Sequence, residues 1–120
     1  MNVYGRRLKS CSTNPLTGYQ RTGSCILDPN DEGTHTVCAI VTNDFLYYTY
    51  TKGNDLITPR RGFRGLREGD KWCLCALRWL EAYHAGAAPY VIGEATHIGT
   101  LRYVPFDILK PYLIEVSSST

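Results

Sequence analysis

No stretch of this chain comes near the roughly 18 consecutive apolar residues that a membrane-spanning helix requires, so a helical membrane protein is excluded. Charge of one sign is equally scarce. The 13 Lys and Arg residues set against 11 Asp and Glu leave a net charge of +2, too slight to demand a polyanionic partner. Internal repeats are absent, and the only low-complexity segment is the closing SSST at 117–120, read as a frayed tail. The start, from Met1 to Ser10, carries Arg6, Arg7 and Lys9 with no apolar run, so no signal peptide is expected. The chain is accordingly read as cytoplasmic, with its thiols reduced. Neither Gly-x-Ser-x-Gly nor Gly-x-x-x-x-Gly-Lys occurs, which removes the serine-hydrolase and P-loop classes. The Cys-x₂₋₄-Cys and His-x₃₋₅-His pairs of ordinary structural zinc sites are missing too.

What is present fits one domain. With 120 residues, 43% hydrophobic and 20% charged, the chain can bury a core without staples, and residues 1–116 are read as a single unit. The first third is a succession of turn signals, Asn14-Pro15, Thr17-Gly18, Thr22-Gly23 and Asp28-Pro29-Asn30. A loop this long inside a compact domain needs an anchor, and Cys11 and Cys25 lie within it. Regular structure follows. Thr36–Val41 (TVCAIV) reads as a buried strand. Asn43–Lys52 reads as a helix opened by Thr42 or Asn43 and closed by Gly53-Asn54. Lys71–Cys75 (KWCLC) alternates as a strand does. In the next run Ala76, Trp79, Leu80 and Tyr83 recur at helical spacing, with Gly86 at the expected stop. Tyr90–Ala95 predicts another strand, Thr96 a capped short turn, and Pro105–Ile114 a terminal helix that Pro111 holds to one or two turns. Short strands alternating with helices after a loop-rich start predict an α+β fold.

The five cysteines and three histidines carry the distinctive chemistry. An odd cysteine count forbids a fully paired disulfide framework within one chain, and five free thiols are expected. Three uses of them compete. The first is packing, as small buried hydrophobes. The second is metal: Cys73 and Cys75 share one face of a strand, His35 and Cys38 form a His-x-x-Cys, and Cys11, Cys25 or Cys38 can complete a tetrahedral set, zinc being the natural occupant. The third is catalysis. Cys75 stands where a strand hands over to a helix, and a thiolate there is stabilised by unpaired N–H groups and the positive dipole end. His97 as base and Glu94 as its orienting group follow at the end of the next strand, which would complete a thiol nucleophile. The stretch Asp28–Gly33 imitates an EF-hand opening, but Ala39 occupies the position of the bidentate glutamate, so it reads as a polar turn.

A separate feature is the loop Arg60-Arg61-Gly62-Phe63-Arg64-Gly65-Leu66-Arg67. Its four arginines around an aromatic can hold a phosphate or stack on a base. Glu68 and Asp70 follow at once, and the pI of about 8.3 lies below the usual mark of a nucleic-acid binder, which argues against a nucleic-acid partner and for a solvated loop.

Five segments, CSTNPLTG (11–18), HTVCA (35–39), GNDLITPR (53–60), GDKWCLCA (69–76) and EATH (94–97), resemble in order those of the mostly bacterial family catalogued as domain of unknown function 2237, from about Asn2 to Leu113. The resemblance implies a helix at 43–52 and family-like positions for all five cysteines, but no residue role. The chain departs from the family in its more basic, proline-poor 59–71 loop and at Ile98-Gly99-Thr100, which weakens a helix. On these grounds the first expectation is a small cytosolic Cys/His-centred module binding a metal or small ligand. The alternative is a thiol-dependent enzyme using Cys75, His97 and Glu94, and the third is an accessory protein binding phosphate or nucleic acid through Arg60, Arg61, Arg64 and Arg67. Native mass spectrometry of chelator-free protein separates them.

Overall fold

The computed structural model describes residues 1–115; the 117–120 tail lies outside them. Four strands form one sheet in the order β2-β1-β3-β4, with β1 His35–Ile40, β2 Lys71–Cys75, β3 Tyr90–Ile92 and β4 Leu113–Ile114. Strand β1 is central and antiparallel to both β2 and β3, while β4 runs parallel to β3. Helices α1 Asn43–Thr51, α2 Ala76–His84 and α3 Phe106–Leu109 complete an α+β domain, as the sequence predicts. No helix among the described residues is long and apolar enough to cross a membrane.

Local chemistry explains the elements. Helix α1 begins where the Thr42 side chain accepts the N–H of Phe45, satisfying one of the orphan donors of a first turn. Phe45, Leu46 and Thr49 face inward while Tyr47 and Tyr50 are exposed. Helix α2 buries Ala76, Trp79 and Ala82, and Gly86 beyond its end has φ +73°, the left-handed conformation that lets a chain leave a helix. Two expectations fail in detail. The strand at 90–95 stops at Ile92 and coils into a 3₁₀ turn over Gly93–Ala95, where the Thr96 hydroxyl donates to the Ile92 carbonyl and accepts from the Cys38 N–H. The terminal helix shrinks to α3 and one 3₁₀ turn, after which Leu113 and Ile114 add the parallel edge strand.

Alternation along the strands divides the sheet's surroundings. Val37, Ala39 and Val41 join Leu74, Val91, Phe45, Trp79 and Leu109 in the main core beneath the helices. The other set, Cys38, Cys73 and Ile92, meets Cys11 and Cys25 from the N-terminal loop in a second cluster. Here the cysteine expectation is corrected. Cys11 is bonded to Cys38 (S–S 2.06 Å) and Cys25 to Cys73 (2.02 Å), leaving only Cys75 as a free thiol. Oxidation is the anchor the long loop requires: each bridge ties a loop cysteine to one of two strand residues that stand opposite each other in the β1–β2 ladder. A hydrogen bond from the Cys73 N–H to the Thr17 hydroxyl (2.8 Å) adds a third tether.

Candidate active site

Cys75 ends β2 and occupies the N-cap position of α2, with no capping hydrogen bond to its side chain. Its ladder partner is His35, the first residue of β1. An antiparallel pair places such residues side by side on one face, and both line a cavity of about 260 Å³ with Gly33, Asn54 and Arg78. Strict alternation would send His35 with Val37 toward the helices. The register shift between His35 and Val37 is a bulge, the device by which a strand re-aims a side chain, and it turns His35 to the loop.

What receives the imidazole is Asp31. Its carboxylate accepts from the His35 Nδ1 at 2.7 Å, from the His35 backbone N–H at 2.8 Å and from the Gly33 N–H at 3.1 Å. The Asp31 side chain is 1% exposed and that of His35 42%, so the pair runs from the interior to the cavity wall. A carboxylate only accepts; the Nδ1 therefore carries a proton, and in the neutral ring Nε2 is left with its lone pair. Two backbone features hold this turn. Thr34 has φ +49°, a conformation that β-branched residues avoid and that clusters at functional sites. Its carbonyl accepts the N–H of Ala76 at 3.0 Å, linking the turn to the start of α2. A Cβ at Gly33 would collide with the His35 ring, so only glycine leaves the ring its seat.

The histidine also borders a larger cavity of about 690 Å³, lined by Arg21, Arg60, Arg61, Phe63 and Trp72. The Arg21 guanidinium stands 5.0 Å from the centre of the Trp72 ring, and that of Arg60 5.1 Å from the centre of Phe63. No carboxylate among the described residues lines either cavity, and Arg78 is paired with Glu81 at 3.3 Å. The two spaces share His35, Leu56, Trp72 and Cys73, so the larger, arginine-lined cleft adjoins the cavity that Cys75 lines.

The arginine loop is thereby divided. Arg60 and Arg61 face the cleft, Arg64 is paired with Asp70 at 3.0 Å, and Arg67 is exposed. The other residues proposed with Cys75 lie elsewhere. The backbone N–H of His97 bonds to the Thr36 carbonyl, on the edge of β1 away from β2, and its Nδ1 accepts the Gly99 N–H at 2.9 Å. Glu94 pairs with Lys9 at 2.6 Å. Of the metal candidates, the sulfurs of Cys11, Cys25 and Cys38 lie within 4.8 Å of one another, Cys73 is bonded into the same cluster, and Cys75 and His35 stand apart from it.

The chain matches, over residues 1–113, the model of a family described as "Uncharacterized protein conserved in bacteria (DUF2237)". It belongs to that family. A comparison with curated proteins finds no match. In this DUF2237 chain Asp31 was the residue hidden from sequence reading, because Asp28–Gly33 resembles a polar turn and nothing more. The available signal was the pair of strands. If TVCAIV and KWCLC run antiparallel, the start of one meets the end of the other, and His35 falls opposite Cys75.

The capping role of His97 has a pH consequence. Burial holds its pKa below the ordinary histidine value of 6.5, and the nearby amino group of Met1 pushes the same way. The fold thus favours the neutral ring. Above about pH 6.5 the ring is neutral in both states and its contribution is whole; below it the unfolded chain binds the proton first, and stability falls until the folded ring also titrates. The melting temperature should therefore decline between pH 7 and 5. His97→Asn, whose amide oxygen can accept from Gly99, should flatten that decline; an unchanged slope would assign it to other groups.

Proposed function

We propose that this protein is a thiol-dependent enzyme in which Cys75 is the nucleophile, His35 its general base and Asp31 the group that orients the base. The observation that carries the reading is the placement of a histidine, hydrogen-bonded to a buried carboxylate, opposite the one free cysteine. In the reaction the Nε2 of His35 takes the Sγ proton. The thiolate forms a bond to an electrophilic carbon of the substrate as that carbon's bond to its leaving group breaks, and the imidazolium returns the proton to the departing group. The N–H groups of Leu77 and Arg78, in the first turn of α2, have no partner within the helix and can meet negative charge that develops beside Cys75. Arg21, Arg60, Arg61 and Arg78 favour a small anionic substrate, and Trp72 and Phe63 give it an apolar wall.

Two alkylating probes that differ in charge test it. Iodoacetate is anionic and iodoacetamide neutral. At low salt the rate ratio of iodoacetate to iodoacetamide at Cys75 should exceed that of an unstructured cysteine peptide by about fivefold or more, as expected of a focusing cationic cleft. It should fall toward the peptide value at roughly 0.5 M salt, where screening is strong. Combined Gln substitution of Arg60, Arg61 and Arg78 should have the same effect. A peptide-like ratio at low salt would rule out the anionic substrate class.

A further inference from the structure

We propose that the two disulfides conceal a metal site: once both are reduced, Cys11, Cys25, Cys38 and Cys73 bind one zinc ion as four thiolates. This is independent of the reading of Cys75. The sulfurs of Cys11, Cys25 and Cys38 already lie within 4.8 Å of one another, and Cys73 is bonded to Cys25 and pairs with Cys38 across the ladder. Zinc–sulfur bonds of about 2.3 Å place the corners of a tetrathiolate about 3.8 Å apart, so the sulfurs are gathered on the scale that zinc needs. Cys38 and Cys73 come from adjacent strands, and Cys11 and Cys25 from the loop laid over them. Small side-chain rotations separate each bonded pair while the sheet holds the backbone of Cys38 and Cys73, and zinc takes over from the disulfides the anchoring of Cys11 and Cys25. Thiolate sulfur selects soft or borderline ions, zinc among them, over magnesium or calcium.

The surroundings fit the exchange. Cys25 and Cys38 are fully buried, and Ile92 and Ala95 close the cluster. Cys11 is the most exposed of the four at 5%, and it borders a small cavity lined by Lys9 and Lys71. Glu94 lines it too and is paired with Lys9 at 2.6 Å, so Lys71 supplies the positive charge that offsets part of the double negative charge of a zinc tetrathiolate and draws the thiolate of an incoming dithiol. That thiolate attacks the Cys11 sulfur and releases Cys38; the second thiol of the reductant then closes its own disulfide and releases Cys11. Repeated at Cys25–Cys73, the process oxidises two dithiols to disulfides and returns four protein thiols. Zinc then displaces their four protons.

The test uses the wild-type chain, oxidised or phosphine-reduced, each stripped with chelator and offered zinc or cobalt. Native mass spectrometry should find one zinc per reduced chain and none per oxidised chain. Cobalt should give thiolate-to-metal charge-transfer absorption in the reduced form only, and Cys75→Ser should change neither result. Zinc should also raise the melting temperature of the reduced chain. Equal metal in the two forms, or loss of binding in Cys75→Ser, would overturn the proposal. The oxidised and reduced stoichiometries are read on folded wild-type protein, and Cys75→Ser is compared after circular dichroism shows it folded, so a variant that fails to fold cannot imitate either result.

Discussion

Reducing both disulfides in the presence of chelator should lower the stability of this protein by several kcal/mol and release its first third. The bridges close segments separated by 27 and 48 residues, for which the chain-entropy account gives roughly 3.5 and 4 kcal/mol. Against the roughly 5–15 kcal/mol that stabilises a typical domain, either is a large share. The effect should be localised. The N-terminal loop contributes few apolar residues to the interior, chiefly Val3, Cys11 and Cys25, whereas the sheet and helices keep Phe45, Leu74, Trp79 and Val91 packed. Hydrogen exchange on the reduced chain should thus show amides of residues 8–33 opening while β1 and α2 stay protected. The paired variant Cys11→Ala/Cys38→Ala should lose about 3.5 kcal/mol in denaturant unfolding. A loss under about 1 kcal/mol would mean that the loop is held by other contacts.

The second large effect concerns reactivity. In native, unreduced protein one cysteine, Cys75, should be alkylated, because the other four are bonded. Replacing His35 by Ala removes the proton acceptor, and general-base assistance is commonly worth 10²–10⁴-fold. A simple alkylation uses part of that, so a slowing of roughly tenfold or more is expected. Asp31→Asn preserves shape, but its amide can donate where the carboxylate only accepts, which frees the imidazole to take the other tautomer. It should slow labelling comparably. Gly33→Ala, which displaces the ring, should follow the same direction, and His97→Ala should leave the rate unchanged. Equal rates in wild type and His35→Ala would remove the base from the reading.

These residues also show what a sequence can and cannot display. Helix α2 was legible because Ala76, Trp79 and Leu80 recur at its period and Gly86 marks its end. Helix α1 was legible from the Thr42 cap despite its tyrosines. Strand β4 was not, since Leu113 and Ile114 become a strand only by pairing with β3, and a two-residue segment after Pro111 carries no period. The disulfides were hidden for a different reason. Spacing does not determine cysteine connectivity, and the inferred cytoplasmic setting argued for free thiols. Cys75 was legible as the strand-to-helix cysteine, but its neighbour was misassigned to His97. The true juxtaposition depends on strand register, on a bulge before Val37, and on a left-handed Thr34 that folds Asp31 back onto His35. All three are tertiary facts.

The central claim is contact between Cys75 and His35, and histidine side-chain NMR tests it most directly. Spectra of wild type and Cys75→Ala are recorded with the imidazole ¹³Cε1 and ¹⁵N resonances assigned. Removing the thiol should move the His35 resonances and alter their response to pH, while those of His84 and His97 stay in place. Unmoved His35 resonances, with Cys75→Ala folded and Asp31 still bonded to the ring, would contradict the account.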